Sequence, residues 1–314
     1  MTTLSATSEI TVRAADASAC SLGHVTAADL IRARVLLASD GSPASDAAVR
    51  VAAALTRQRR ATPSVVTVIA PASQIGLLER ASPLDASGER DAESRRRLVA
   101  TQLLAGGAAR WPLSVVQGDA ASCIVERARV TDATLVVAGL RPRASADRRF
   151  HDETILRVVR AGAHPVLAVT GDLAGLPRRI LVGVDFSRAS LRAARAAIAV
   201  AAPDATIYLT CVRPRPARWA ERFAGHDLVV AQGIASAFNR LAQELAPPPG
   251  MQLEPVPLAG DATFELIEFA RRAGIDLIAV GSHSRSAPER LRLGSVASSI
   301  VHDAGTSVLV VGPC

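Results

Sequence analysis

The chain contains no lysine. Among its 314 residues all 36 basic side chains are arginines. A Walker-type phosphate loop needs a lysine on the β- and γ-phosphates, so that class of NTPase is excluded. A protein kinase with its strand lysine is excluded too, and so is a Schiff-base enzyme. Aromatic residues make up only 3% of the chain, so stacking platforms for single-stranded nucleic acid are scarce. The arginines are spread along the sequence rather than gathered in one stripe. The formal charge of +7 therefore reads as a solvated surface, and no nucleic-acid partner is expected. The four cysteines, Cys20, Cys123, Cys211 and Cys314, include no close pair, which is neither a zinc pattern nor a disulfide framework. No apolar run approaches the roughly 20 residues of a membrane span. The first residues carry Glu9, Arg13 and Asp16 and no continuous apolar segment, so neither membrane nor secretion is expected, and the cytoplasm is. No G-x-S-x-G, no G-x-G-x-x-G after a strand and no Ser-His-Asp or Cys-His signature occurs, which argues against an enzyme.

What is present is a hydrophobic fraction of 49%, enough for packed cores, on a length that suggests about two domains. Residues 1–33 lack clear periodicity until about Ala27 and read as a flexible arm. From Arg34 onward, short apolar strands alternate with helical periodicity. Strands are expected at 34–39, 65–69, 113–116, 134–138 and 165–169. Helices are expected at 43–60, 90–110, 120–130 and 152–161. After Gly171–Pro177, a linker, the pattern restarts. Strands fall at 179–184, 205–211, 251–257, 276–280 and 307–311, with helices at 188–202, 225–245, 262–273 and 294–303. The repeat can be checked by subtraction. Gly118-Asp119 matches Gly260-Asp261 and Gly139 matches Gly281, each 142 residues apart, while Asp40 matches Asp185 at 145.

The fold class expected is α/β, with two tandem doubly wound, parallel, five-stranded sheets, one over residues 34–170 and one over 178–314. The third strand of the second unit, M-Q-L-E-P-V-P, holds two prolines and must lie at an edge. Order 3-2-1-4-5 puts it there. The winding then reverses between strands one and four, where such sheets bind ligands. Asp185 ends strand one and Gly281 ends strand four, so they meet at that crevice. The stretch Val280–Val301 (V-G-S-H-S-R-S-A-P-E-R-L-R-L-G-S-V-A-S-S-I-V) reads as strand end, polar loop and helix N-terminus, the three parts of an anion site.

Each unit resembles a universal stress protein (UspA-like) domain. The residues that carry the resemblance are the strand-one aspartates Asp40 and Asp185, the Gly-Asp after strand three, and the loop G-x-x-G-x9-G-S/T. Gly281, Ser284 and Gly294-Ser295 fit that loop spacing. The resemblance implies an adenine-nucleotide-binding-like fold. It also implies ATP, with or without Mg2+, held in the second unit by Asp185, Val212, Val280, Gly281, Gly294, Ser295 and Val296. His283 lies inside the loop and can touch the ligand. Ser284 stands where the family has glycine, at a cost of about 1 kcal/mol if the position requires positive φ; its hydroxyl is a candidate phosphate donor. In the family the fifth strand mediates dimerisation, so the two units are expected to pair with each other, and a homodimer is open.

The first unit departs further. Gly139 remains, but Pro142 replaces the second glycine and Asp152-Glu153 occupy the Gly-Ser positions. Asp152 is expected to cap the following helix, with both carboxylates favoured by its dipole. They are expected to pair with the loop arginines 141, 143, 148 and 149. Two negative charges in the anion seat make unit one a non-binding partner domain. The competing readings are a regulatory nucleotide-binding module in a stress response and a structural or interaction protein of the same fold without a ligand.

Overall fold

The structure is a computed structural model, and it describes residues 33–70, 84–141, 148–161, 164–214, 224–282 and 294–312. In the first unit the strands are β1 (Arg34–Ala38), β2 (Thr62–Ile69), β3 (Leu113–Gln117), β4 (Leu135–Gly139) and β5 (Val166–Val169). In the second they are β6 (Arg179–Gly183), β7 (Thr206–Arg213), β8 (Gln252–Ala259), β9 (Leu277–Gly281) and β10 (Ser307–Val311). Helices α1 (Asp46–Arg59), α2 (Leu84–Ala105), α3 (Ala120–Val130) and α4 (Arg148–Ala161) belong to the first unit. Their repeats are α5 (Arg188–Val200), α6 (Ala224–Leu245), α7 (Ala262–Arg272) and α8 (Ser295–Asp303).

The ten strands form one sheet in the order β3-β2-β1-β4-β5-β10-β9-β6-β7-β8. Each half therefore has order 3-2-1-4-5, and the halves join through their fifth strands. Every pairing is parallel except β5 with β10, which is antiparallel, with Leu309 opposite Leu167. Central strands are apolar on both faces because helices cover both. On one face β-strand residues such as Leu37 and Leu209 pack with α1, α2, α5 and α6. On the other, Leu36, Ile278 and Val310 pack with α3, α4, α7 and α8. Strand β8 is an edge as its prolines require. Pro255 and Pro257 sit opposite Leu209 and Cys211, and the strand is largely exposed on its outer side. No described helix is long and apolar enough to cross a membrane.

Hydrogen bonds also tie the halves beyond the central pair. Thr170 follows β5, and its N–H donates to Ser307 Oγ (3.1 Å), while the two buried hydroxyls lie 3.2 Å apart. Arg59, at the end of α1, donates to Ala199 O (3.0 Å) and Ile198 O (3.1 Å), carbonyls left over at the C-terminus of α5. Its burial there lowers its pKa from the ordinary arginine value.

One expectation is corrected. Helix α4 starts at Arg148, not at Asp152, so Asp152 is not its N-cap and no acid lies in its first turn. The residues R-R-F-H contain no glycine or proline, and nothing stops the helix from extending one turn upstream. Glu153 is exposed and pairs with Arg160 (3.0 Å), seven residues along the same helix. Arg141 pairs with Asp40 (3.4 Å). Arg143 and the side chains of Arg148, Arg149 and Asp152 lie outside the described residues.

Gly139 closes the end of β4 against the short 3-10 turn, Pro43–Ser45, that leads into α1, and Gly281 closes the end of β9 against the start of α5. A Cβ on Gly281 would lie 2.9 Å from the backbone carbon and Cβ of Ala189; one on Gly139 would lie 2.6 Å from Ala44 O. Helix and strand approach this closely only where no side chain intervenes. Gly281→Ala and Gly139→Ala are therefore each expected to destabilise the protein by about 1–3 kcal/mol, measured by urea unfolding. A neutral effect at both would show that the helices are not seated as described.

His164 precedes β5, half-buried, and hydrogen-bonds the backbone of Ala133; burial lowers its pKa from the ordinary value of 6.5. A lowered pKa means that the folded state binds the proton less well. The stabilisation is thus complete above the unfolded pKa, near 6.5, and is lost as pH falls through the folded value. Asp119 is held far below the usual carboxylate range by Arg157 and by Ser122, so its own loss falls below about pH 4, outside that window. Between pH 7 and 5 the unfolding midpoint of wild type should fall more steeply than that of His164→Gln. Parallel curves would contradict this.

Candidate functional site

The ends of β6, β7 and β9 and the start of α8 converge at one edge of the second unit. Asp185 follows β6. Its Oδ1 accepts the N–H of Ser187 at 3.0 Å, the local turn that aspartate side chains make with their own backbone two residues on. Phe186 takes φ of 58° within that turn and packs edge-on against Phe238, ring centroids 5.3 Å apart. Ser187 then caps α5 by accepting the N–H of Ser190 at 3.2 Å. The same device stands in unit one, where Asp40 Oδ1 accepts from Ser42 N (2.9 Å) and Ser45 Oγ (3.1 Å).

Val280 and Gly281 end β9. Val280 is 4% exposed and packs in the core on the α7–α8 side, where its Cγ1 would lie 3.3 Å from a Cβ on Gly183. Val212 lies near the end of β7, partly buried on the same side. Beside them the Cys211 thiol is pushed up by burial, with Asp185 adding to the shift and Arg213 opposing it. Nothing in this arrangement makes that thiol a nucleophile.

Ser282, which sequence reasoning passed over, organises the loop. It is 1% exposed. Its N–H donates to Val311 O (2.8 Å), and its carbonyl accepts the N–H of Gly294 at 2.6 Å. The two ends of the intervening loop are thereby tied together at the mouth of the site. In unit one Leu140, at the same repeat position, donates to Val169 O (2.7 Å). The signal was available at the constant offset of 142, but serine and leucine disguise it.

Gly294 is the N-cap of α8 and offers no side-chain cap. Helices α3, α5 and α7 differ, since Asp119, Ser187 and Asp261 cap them. Ser295 is the first helical residue and is exposed, while Val296 is partly buried against the core. The structure thus brings together Asp185, Val212, Val280, Gly281, Gly294, Ser295 and Val296 at one edge. His283 and Ser284 lie outside the described residues. Among those residues no group of three or more His, Cys, Asp or Glu side chains could hold a metal ion.

Unit one has a cavity of about 220 Å³ at the corresponding edge. It is lined by Asp40, Val68, Ala138, Gly139 and Thr154, among others. Their repeat partners are Asp185, Val212, Val280, Gly281 and Val296, so five of the positions singled out in unit two line a cavity in unit one. The walls there are apolar, with Val66, Ile124, Val136 and Ile155 beside them. Asp40 is the only charged residue in the lining among the described residues.

The sequence profile of the universal stress protein family matches residues 32–170 and again 177–312. A universal stress protein of Methanocaldococcus jannaschii is 31% identical over 145 residues, covering 43% of this chain and 82% of that protein. Among solved structures, a universal stress protein from Archaeoglobus fulgidus DSM 4304 superposes with a TM-score of 0.57 at 19% identity, over 89% of this chain and 98% of that one. A functionally unknown protein from Pseudomonas aeruginosa PAO1 superposes with a TM-score of 0.55 at 14% identity, over 92% and 95%. Two family matches in tandem over most of the chain, on a twice-repeated 3-2-1-4-5 sheet, settle the classification: the chain belongs to the universal stress protein family, with two tandem domains.

Proposed function

We propose that the second domain binds an adenine nucleotide, ATP with or without Mg2+, and that the chain acts as a cytoplasmic regulatory module of a stress response without catalysing a reaction. The observation that carries this reading is the N-terminus of α8. It opens on a glycine, whose missing side chain cannot cap it, at the edge where β6 and β9 end, while α3, α5 and α7 each have a capping side chain and α1, which follows a short turn of 3-10 helix, has none. Uncapped N–H groups and the helix dipole favour an anion there. Ser295 is exposed beside them as a hydroxyl donor. One helix terminus contributes only about 0.3–2 kcal/mol. Affinity therefore needs the other contacts: Asp185 toward the nucleoside, Val212, Val280 and Val296 along the base and sugar, and Gly281, His283, Ser284, Gly294 and Ser295 around the phosphates.

The first domain lacks this seat. At the matching positions the chain is already inside α4, and Glu153 projects a carboxylate. Its cavity has apolar walls and Asp40 at the rim, an unfavourable place for phosphate. No residue at either edge is assigned as general acid, base or nucleophile. The fifth strands are engaged with each other, so a homodimer would have to use another surface.

A second reading, a ligand-free interaction protein, has its own support. Asp185 makes a turn, Gly281 permits a close approach and Gly294 caps a helix, so each has a structural reason to be there. Calorimetric titration with ATP and Mg2+ separates the two. The nucleotide reading expects saturable heat with one site per chain. Gly294→Asp combined with Ser295→Glu copies the acids of unit one into unit two and should weaken binding at least about tenfold. No heat at millimolar nucleotide, or undiminished binding by that variant, would overturn the assignment.

A further inference from the structure

A second cavity, of about 330 Å³, lies at the opposite end of unit two, where the linker crosses the base of its sheet. It is independent of the nucleotide reading. Thr170, Asp172 and Leu173 contribute one wall, from the end of β5 and the linker. The other walls come from the C-terminal ends of α7 and α8 and the starts of β9 and β10.

The repeat explains why this space is open in unit two. Arg34 in unit one donates to Thr131 O at the end of α3, and Arg179 in unit two donates to Ala273 O at the end of α7. The next position differs. Unit one has Asp132, whose carboxylate closes on Arg34 at 2.7 Å; unit two has Gly274. Thirty-two residues on, unit one has the half-buried imidazole of His164, and unit two has Thr306. A Cβ on Gly274 or on its neighbour across the cavity, Gly305, would meet nothing within 4 Å.

The floor is apolar, with Leu173, Ala270, Ile275, Ile278 and Ala304 all buried. The charged groups that line it or border it are mostly satisfied. Arg271 is closed on Glu268 at 2.8 Å. Arg179 is turned to Ala273 O and lies over the Tyr208 ring. Asp276 accepts the N–H groups of Arg178 and Arg179 at 2.8 and 2.9 Å. Neither lining carboxylate is in an ion pair among the described residues: Asp276 is held by those two backbone N–H groups, and Asp172 is exposed at the linker wall. The negative ends of two helices point the same way. From this geometry we infer a binding site for a small organic monocation, an ammonium on a compact apolar body. The ammonium lies toward Asp172 and the helix C-termini, and the body lies on the aliphatic floor. Because one wall belongs to the linker and the other to unit two, the bound cation bridges the two domains.

The test is a heteronuclear NMR titration of the full chain with cyclohexylammonium, using cyclohexanol and cyclohexanecarboxylate as neutral and anionic analogues of the same shape. Saturable shifts are expected at the amides of Gly274, Gly305 and Thr306. The cation should bind about tenfold tighter than the alcohol, and the carboxylate weaker still. Asp172→Asn, an exposed substitution, should bring cation and alcohol to within about twofold of each other. Gly305→Phe, placed in open space, should weaken both. No saturable shift by about 50 mM, equal affinity of cation and alcohol in wild type, or an unchanged preference in Asp172→Asn would each overturn the proposal. Should Gly305→Phe fail to fold, the Asp172→Asn comparison decides alone.

Discussion

The antiparallel pairing of β5 with β10 is the constraint on which the rest of the molecule depends. Val166, Leu167 and Ala168 face Val310, Leu309 and Val308, and all six are at most 1% exposed. A strand buried so completely cannot remain an edge, since its unpaired N–H and C=O groups would find no water. Joining the two edges makes one sheet of ten strands. Antiparallel joining also sets the direction of everything else. The C-terminal ends of the two sets of strands point opposite ways, so the edges where Asp40 and Asp185 lie are at opposite ends of the sheet. The end of β5, and with it the linker, is carried to the base of unit two. The cavity at that base follows from this crossing.

Much of the fold was legible in the sequence. Helix α3 and strand β10 have the bounds their periodicity predicts, residues 120–130 and 307–311. The prolines at 255 and 257 announced the edge, and the duplication announced the order. Boundaries whose punctuation is missing or misleading were not legible. Helix α4 begins at Arg148 rather than Asp152, because no glycine or proline marks its start; α2 begins at Leu84, directly after Pro83, rather than near Arg90, and runs through Gly88, which reads in sequence as a break. The site was legible only as a set of positions. Gly281 reads in sequence as a place where a phosphate comes close, and in the structure it is where Ala189 comes close. The base cavity was not legible at all. It arises from a difference of volume between Gly274 and Asp132 and between Thr306 and His164, seen only once the linker is laid across it.

The two domains thus share a scaffold and differ in what they offer. At the edge of unit two an uncapped helix meets a turn held by Asp185; at the edge of unit one the helix has grown past that point and carries Glu153. Duplication preserved the turn, the close-packed glycine and the strand order, which are what folding requires. The start of the last helix of each unit and the base cavity lie outside that requirement, and there the copies diverge.

The claim that the domains differ in function at matching positions is tested most directly by amide hydrogen exchange on the intact chain with and without saturating Mg-ATP. The account predicts added protection over residues 280–282 and 294–298 and none over their counterparts 138–140 and 152–156. Protection at the counterparts, or no change at either edge, would contradict it.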